Sequence, residues 1–233
     1  MDADTFVVTG ARKGICRAVA EHLLARGHRV VGCSRGPSDL AHEAYHHECL
    51  DVASEADVRR LFALVRSLPG RLRGVVNNAG VAAMNHALLT PTSTLHRVFE
   101  TNVFGTFLFC REAARLLRGV PHARIVNLSS VAVPLRLEGE AVYAASKAAV
   151  ESLTRILARE LAPFGITCNA VGPGPVQTDL IHGVPPDKID GILRAQAVRR
   201  LTTTADVTNV IDFFLRPESD MVTGQVVYLG GVG

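Results

Sequence analysis

Tyr143 and Lys147 are four residues apart, so a helix sets both side chains on one face. A free phenol titrates near ~10 and a lysine ammonium near ~10.4, and neither moves protons at neutral pH unaided. An adjacent ammonium favours phenolate and draws the phenol pKa down. A phenol tuned in this way gives a proton to a carbonyl oxygen or takes one from an alcohol. Ser130 precedes Tyr143 by thirteen residues. A second constellation is Thr9-Gly10-Ala11-Arg12-Lys13-Gly14-Ile15-Cys16. Placed between a first strand and a first helix, such a turn brings backbone N–H groups and a helix N-terminus against a pyrophosphate. No Gly-Lys-Ser/Thr follows, which excludes a Walker loop. No G-x-S-x-G elbow surrounds Ser130 and no Ser-then-Asp-then-His triad suggests itself there, which disfavours a serine hydrolase. Taken singly, each feature has an ordinary alternative: a solvated Tyr-x-x-x-Lys face, a strand-end Ser129-Ser130, or a tight turn without a ligand.

These residues need elements to position them, and the chain alternates short apolar runs with helix-like stretches. The runs are Thr5–Thr9, Arg29–Cys33, Tyr45–Leu50, Gly74–Asn77, Arg124–Ser129, Ile166–Val171 and Gln225–Leu229. They are brief and mostly rich in Val and Ile without strict polar alternation, which suits strands buried on both faces of a parallel sheet. Helices are expected over Ile15–Arg26, Ala56–Leu68, Leu95–Leu117 and Ala141–Pro163, the last two apolar on more than one face. The pattern predicts an α/β fold: a single-domain Rossmann fold over 1–233, with a doubly wound, seven-stranded parallel sheet and helices on both faces. Thr178–Val198 breaks the alternation with Gly183, Val184-Pro185-Pro186 and Gly191, and is read as a substrate lid over 178–198.

Composition narrows the classes. Of 233 residues, 48% are apolar and 20% charged, an ordinary globular balance. The net charge is only +3, too small to imply a nucleic-acid partner. No run reaches the ~18 apolar residues of a membrane span. Met1-Asp2-Ala3-Asp4-Thr5 does not read as a secretory or transit signal, and a cytoplasmic location is expected. Cys16, Cys33, Cys49, Cys110 and Cys168 are odd in number and widely spaced, which reads as reduced thiols. His42, His46, His47 and Cys49 raise a metal site, but Tyr45–Leu50 fits a short strand, and no metal is expected.

In order along the chain, the turn Thr9–Cys16, Asp51-Val52, Asn77-Asn78-Ala79-Gly80, Asn102, Ser129-Ser130, Tyr143-Ala144-Ala145-Ser146-Lys147 and Pro173-Gly174 resemble the motifs of the short-chain dehydrogenases/reductases. The resemblance implies hydride chemistry with a nicotinamide cofactor. Tyr143 would be the proton donor or acceptor, Ser130 would hold the substrate oxygen, and Lys147 would bond the nicotinamide ribose. Asn102 would support a water chain reaching Lys147. Gly10, Arg12, Lys13, Gly14 and Ile15 would surround the cofactor phosphates, and Asp51 and Val52 the adenine. Asn78, Ala79 and Gly80 would line the adenosine ribose and the nicotinamide side, and Pro173, Gly174, Val176 and Thr178 would touch the nicotinamide. Four departures stand out: Cys16 for the third glycine, Gly172 for the usual alanine, Leu229-Gly230-Gly231 for Asp-Gly-Gly, and Val131-Ala132-Val133-Pro134 without the usual glycine.

No acid follows the second strand, where Ser34 and Arg35 stand instead. By the same resemblance Lys13 points toward the adenosine ribose. Two cations and a hydroxyl suit a 2′-phosphate, so NADP(H) is expected, with Arg35 stacked on the adenine as the alternative that permits either cofactor. General similarity to 3-oxoacyl-carrier-protein reductases implies a ketone or acyl thioester substrate, carried by an acidic carrier protein in one version. Arg111, Arg115, Arg118, Arg199 and Arg200 are candidates for a basic dock, with solvated faces or salt bridges as the alternative. Phe164 stands where some carrier-reading relatives are basic. Val131–Leu137, Met84–Leu89 and the lid are expected to wall the pocket. Two other outcomes remain open: an oxidative secondary-alcohol dehydrogenase, and a cofactor-binding sensor or scaffold with little turnover. The two long helices and Gln225–Gly233 resemble the contacts that make such proteins homodimers or homotetramers.

Overall fold

Short β-branched runs that bury both faces fold as the interior strands of a parallel sheet. The computed structural model describes residues 4–178, 181 and 184–232. Its strands are β1 (Thr5–Thr9), β2 (Arg29–Ser34), β3 (Tyr45–Cys49), β4 (Leu72–Asn77), β5 (Ala123–Leu128), β6 (Ile166–Gly172) and β7 (Val226–Tyr228). All pair in parallel, in the order β3-β2-β1-β4-β5-β6-β7. Every residue of β1, β5 and β6 is buried, whereas the polar edge strand β3 is half exposed. The order reverses between β1 and β4, and that switch point opens a crevice at the carboxyl ends of the strands.

The helices are α1 (Gly14–Ala25), α2 (Glu55–Ser67), α3 (Thr92–Phe99), α4 (Gly105–Leu117), α5 (Ala132–Leu135), α6 (Ala141–Leu161), α7 (Pro186–Ala195) and α8 (Thr204–Leu215). One core layer packs α2, α4 and α6 on the sheet through Leu61, Phe62, Phe109, Leu117 and Leu157. The opposite layer packs α1 and α8 through Val19, Leu23, Val207, Ile211 and Phe214. Each fully buried Val, Leu or Phe contributes about 1.5–3 kcal/mol, so the two layers dominate the stability. A third, small cluster of Val131, Ile192 and Val232 ties α7 to the end of β5 and to the C-terminal segment.

Two elements differ from the sequence expectation. The stretch Leu95–Leu117 is not one helix: α3 passes through a π-helical segment, Glu100–Phe104, before α4 begins. The bulge accompanies Asn102, whose side chain turns away to bond a neighbouring loop. Part of the 178–198 segment is helical as α7, while residues 179, 180, 182 and 183 lie outside the described residues.

Gly172 has a local cause. A methyl on it would stand 2.4 Å from Cδ1 of Tyr228, so alanine does not fit beside this tyrosine. Cys16 is fully buried under the first turn of α1, where its small thiol joins the core instead of displacing the helix.

Candidate active site

Every candidate site residue except those on α6 and in the α3–α4 bulge ends or follows a strand at its carboxyl end. Gly10 and Gly14 hold φ of 73° and 64°, backbone that glycine adopts without strain. Lys13 is the extended cap residue of α1 and makes no side-chain cap bond, so the first turn, with Ile15, keeps backbone donors for an anion. The other loops crowd this turn. A Cβ on Gly10 would stand 3.3 Å from Nδ2 of Asn78 and 3.4 Å from the Ala79 backbone. One on Gly14 would stand 3.2 Å from Cγ2 of Thr178. Thr9 Oγ1 accepts from the backbone N–H of Asn78 (3.0 Å) and of Ala79 (2.9 Å), locking the β4 loop to the turn. These features fit a dinucleotide pyrophosphate.

Farther along the crevice, Arg12 reaches the loop after β2, its Nη1 lying 2.7 Å from where a Gly36 Cβ would be. Ser34 Oγ donates to the Gly36 carbonyl at 2.7 Å, and Arg35 is exposed beside it. Asp51 is exposed and accepts from Ala53 N–H at 3.0 Å. The Val52 side chain is buried against Gly105. Val176 is buried and bridges Thr202, and Pro173 O accepts from Val131 N–H at 3.1 Å. Gly174 is pressed by Gln196: a Cβ there would stand 2.6 Å from the Gln196 amide nitrogen.

The reactive groups meet where β5 ends and α6 begins. Ser130 Oγ accepts from Ala132 N–H at 3.1 Å, which fixes its hydroxyl at the end of β5. Lys147 Nζ is buried, donates to the Leu128 carbonyl at 2.8 Å, and lies 5.9 Å from the Tyr143 ring centroid. Burial draws Lys147 down to about 8, with the nearby Cys16 thiol opposing. Desolvation likewise pushes the Tyr143 phenol up to about 12; the nearby Ser130 hydroxyl opposes this and the Glu140 carboxylate adds to it. In the free protein, desolvation therefore outweighs the ammonium expected to acidify the phenol, and Tyr143 is protonated at neutral pH.

Asn102 is buried and fully engaged. Its Oδ1 accepts from Val81 N–H at 2.8 Å, and its Nδ2 donates to Val81 O and Ser146 Oγ at 3.0 Å each. It clamps the loop after β4 to α6. A Cβ on Gly80 would stand 3.1 Å from Asn102 Oδ1 and 3.6 Å from Lys147 Nζ, so this glycine keeps open the space between the two.

Residues 10–231 match a family profile described as enoyl-(acyl carrier protein) reductase. The chain belongs to the short-chain dehydrogenase/reductase family. This short-chain dehydrogenase/reductase is 31% identical over 231 residues to the 3-oxoacyl-[acyl-carrier-protein] reductase FabG of Escherichia coli strain K12, covering 97% of this chain and 95% of that one. It superposes on the 3-ketoacyl-(acyl-carrier-protein) reductase of Brucella melitensis complexed with NADH with a TM-score of 0.87, at 26% identity over 98% of this chain and 97% of that one. On ElxO with NADP bound, the TM-score is 0.89, at 28% identity over the same shares. The chain is therefore an oxidoreductase of Rossmann architecture, with nicotinamide-bound structural neighbours of both cofactor types.

In this short-chain dehydrogenase/reductase, an open pocket of about 430 Å³ flanks α6, lined by His86, Ala87, Val133, Arg136, Leu137, Glu138, Gly139 and alanines of α6. Of the three segments expected to wall the pocket, 131–137 and 84–89 contribute residues, and the described residues of the 178–198 segment do not. Four of the five arginines considered for a basic dock are engaged within the chain. Arg111 pairs with Glu55, Arg115 with Glu112 and Arg200 with Asp206, and Arg118 stacks 4.5 Å from the Phe164 ring centroid. Among the described residues, no group of three or more His, Cys, Asp or Glu could hold a metal ion, and no helix is long and apolar enough to cross a membrane.

Several residues that build the site were not singled out from the sequence. Thr9 lay inside the quoted turn, but its loop-locking role needs the fold. Glu151 on α6 is buried and accepts from Ser129 Oγ (2.5 Å) and Tyr228 OH (2.6 Å), joining the residue beside Ser130 to β7. In sequence, Glu151 is only one more charged residue on a helix.

Proposed function

We propose that this protein is an NADPH-dependent carbonyl reductase that converts a 3-oxoacyl thioester or a related ketone to the secondary alcohol. The observation that carries the reading is the half-buried, protonated Tyr143 with the buried Lys147 Nζ 5.9 Å from its ring, Ser130 at the end of β5, and the Gly10–Gly14 turn across the crevice. When bound, the reduced nicotinamide supplies the hydride. Ser130 donates a hydrogen bond to the substrate carbonyl oxygen and orients it. Tyr143 gives that oxygen its proton. Lys147 bonds the nicotinamide ribose and, through water in the gap beside Gly80 that the Asn102 clamp borders, returns a proton to Tyr143. Gly10, Arg12, Lys13, Gly14 and Ile15 hold the phosphates, Asp51 and Val52 the adenine, and Asn78, Ala79 and Gly80 the ribose side. Pro173, Gly174, Val176 and Thr178 border the nicotinamide.

The choice of NADP(H) rests on Ser34, Arg35 and Arg12 where an acid would otherwise bind the ribose hydroxyls. The apolar Val133 and Leu137 and the α6 alanines favour an acyl or hydrophobic ketone. FabG, by its name a 3-oxoacyl-[acyl-carrier-protein] reductase, supports the same substrate class. The internal pairing of Arg111, Arg115 and Arg200 favours a substrate not bound to a carrier protein. The chain acts as one catalytic domain in the cytoplasm, with 178–198 as the lid. It assembles as a homodimer or homotetramer, for which the exposed Phe104 and Phe107 on one helix pair and Ile156 on α6 offer apolar contact. The same site run in reverse would oxidise a secondary alcohol.

The test follows consumption of reduced nicotinamide across a panel of 3-oxoacyl thioesters and ketones. NADPH is expected to be consumed faster than NADH. Cofactor binding with no turnover across the panel would replace this reading with that of a sensor.

A further inference from the structure

The loop that follows β2 is held from below by two side chains of the neighbouring edge strand. The Gly36 carbonyl accepts from Ser34 Oγ at 2.7 Å and lies 3.0 Å from His47 Nε2, which is itself 3.0 Å from Ser34 Oγ. The Tyr45 hydroxyl lies 2.7 Å from His47 Nδ1. A carbonyl only accepts, so Nε2 carries the imidazole hydrogen and Nδ1 accepts from Tyr45. Tyr45 and His47 are two apart on β3 and share one face of the sheet. Room for the relay comes from β2: a Cβ on Gly32 would stand 2.3 Å from the Tyr45 hydroxyl oxygen, so any other residue there would push Tyr45 aside. Burial also lowers the His47 pKa and keeps the ring neutral, as this pattern requires.

We propose that His47, oriented by Tyr45, is a positioning residue that frees the Ser34 hydroxyl to bind the 2′-phosphate of the cofactor. This rests on the NADP(H) reading above. Ser34 has one hydrogen to donate. When it turns that hydrogen to a phosphate oxygen, the Gly36 carbonyl would lose its donor, but His47 Nε2–H keeps it satisfied. Without His47, Ser34 must choose between the loop and the phosphate. Arg12, packed on the same Gly36, supplies charge but does not replace that donor. A cofactor with a bare 2′-hydroxyl offers no charged acceptor at this point, so the relay acts on NADP(H) alone.

The experiment titrates the full-length protein with NADPH and with NADH by cofactor fluorescence, alongside kcat at saturating NADPH. His47→Leu is expected to weaken NADPH binding roughly tenfold, the scale of one hydrogen bond to a charged group. NADH binding and kcat stay as in the wild type. His47→Gln, which keeps a donor near the Nε2 position, restores most of the NADPH affinity, and Tyr45→Phe gives a smaller loss in the same direction. Unchanged NADH binding shows in the same samples that each variant is folded. Equal weakening of both cofactors, no weakening of either, or a His47→Gln as poor as His47→Leu would each overturn the proposal. A wild type that does not prefer NADPH would instead overturn the cofactor reading on which it stands.

Discussion

Tyr143→Phe is expected to lower kcat for ketone reduction by about 10²–10⁴, the range a positioned general acid contributes, while the protein still binds its cofactor. The substitution removes one oxygen from a half-buried ring and leaves the ring in place. Ser130 keeps its bond from Ala132 N–H, so the end of β5 stays formed. Steady-state turnover and a cofactor-binding titration on the same sample separate the two effects. Loss of binding together with turnover would show that Tyr143 builds the cofactor site without donating the proton.

Lys147→Met is expected to abolish most turnover and to stabilise the fold. The ammonium is buried, with a pKa drawn from 10.5 to about 8. Between those values the unfolded chain binds the proton and the folded chain does not, so stability rises with pH from about 8 to 10.5. Below about 8 the full cost is present, roughly 3 kcal/mol for such a shift at 1.36 kcal/mol per unit. Losing the bond to Leu128 O offsets about 1 kcal/mol of that gain. A net gain of about 2 kcal/mol raises Tm by roughly 4–8 °C for a chain of this size. Thermal unfolding at pH 7 and at pH 10 checks both sign and window: the variant is the more stable at pH 7 and the difference shrinks at pH 10. A Tm that falls at pH 7 would show that Lys147 holds the structure together instead of straining it. For the wild type, reduction slows as pH rises through about 8, because Lys147 loses the proton it returns to Tyr143.

Much of this arrangement was legible in the sequence. Seven short runs became seven strands, with ends shifted by a residue or two; all but the polar edge strand β3 carry the Val and Ile that a parallel sheet buried on both faces demands. The turn at Gly10–Gly14 and the Tyr143–Lys147 pair were readable because close approach and helical spacing each demand a particular residue at a fixed interval. The π-helical bulge at Glu100–Phe104 was not readable, since Asn102 departs from helical geometry only when Val81, twenty-one residues away in sequence, offers both its backbone groups. The direction of the Tyr143 shift was missed for a related reason. Spacing shows a neighbouring charge, but only the folded chain shows how thoroughly water is removed from both groups. Gly32 reads as an ordinary strand glycine and Gly172 as a bare departure from alanine until Tyr45 and Tyr228 occupy the space they leave.

The central claim is that a phenol protonated in the free enzyme becomes acidic only beside the charged pyridine of the cofactor. The protein has three tyrosines and no tryptophan, so phenolate absorbance can be assigned by difference. The decisive measurement is the pH titration of that absorbance with and without the oxidised cofactor, in wild type and Tyr143→Phe. The account predicts no Tyr143 phenolate near neutral pH in the free protein, a phenolate step at markedly lower pH in the complex, and loss of that step in the variant. A Tyr143 titration that is identical in the two states would contradict it.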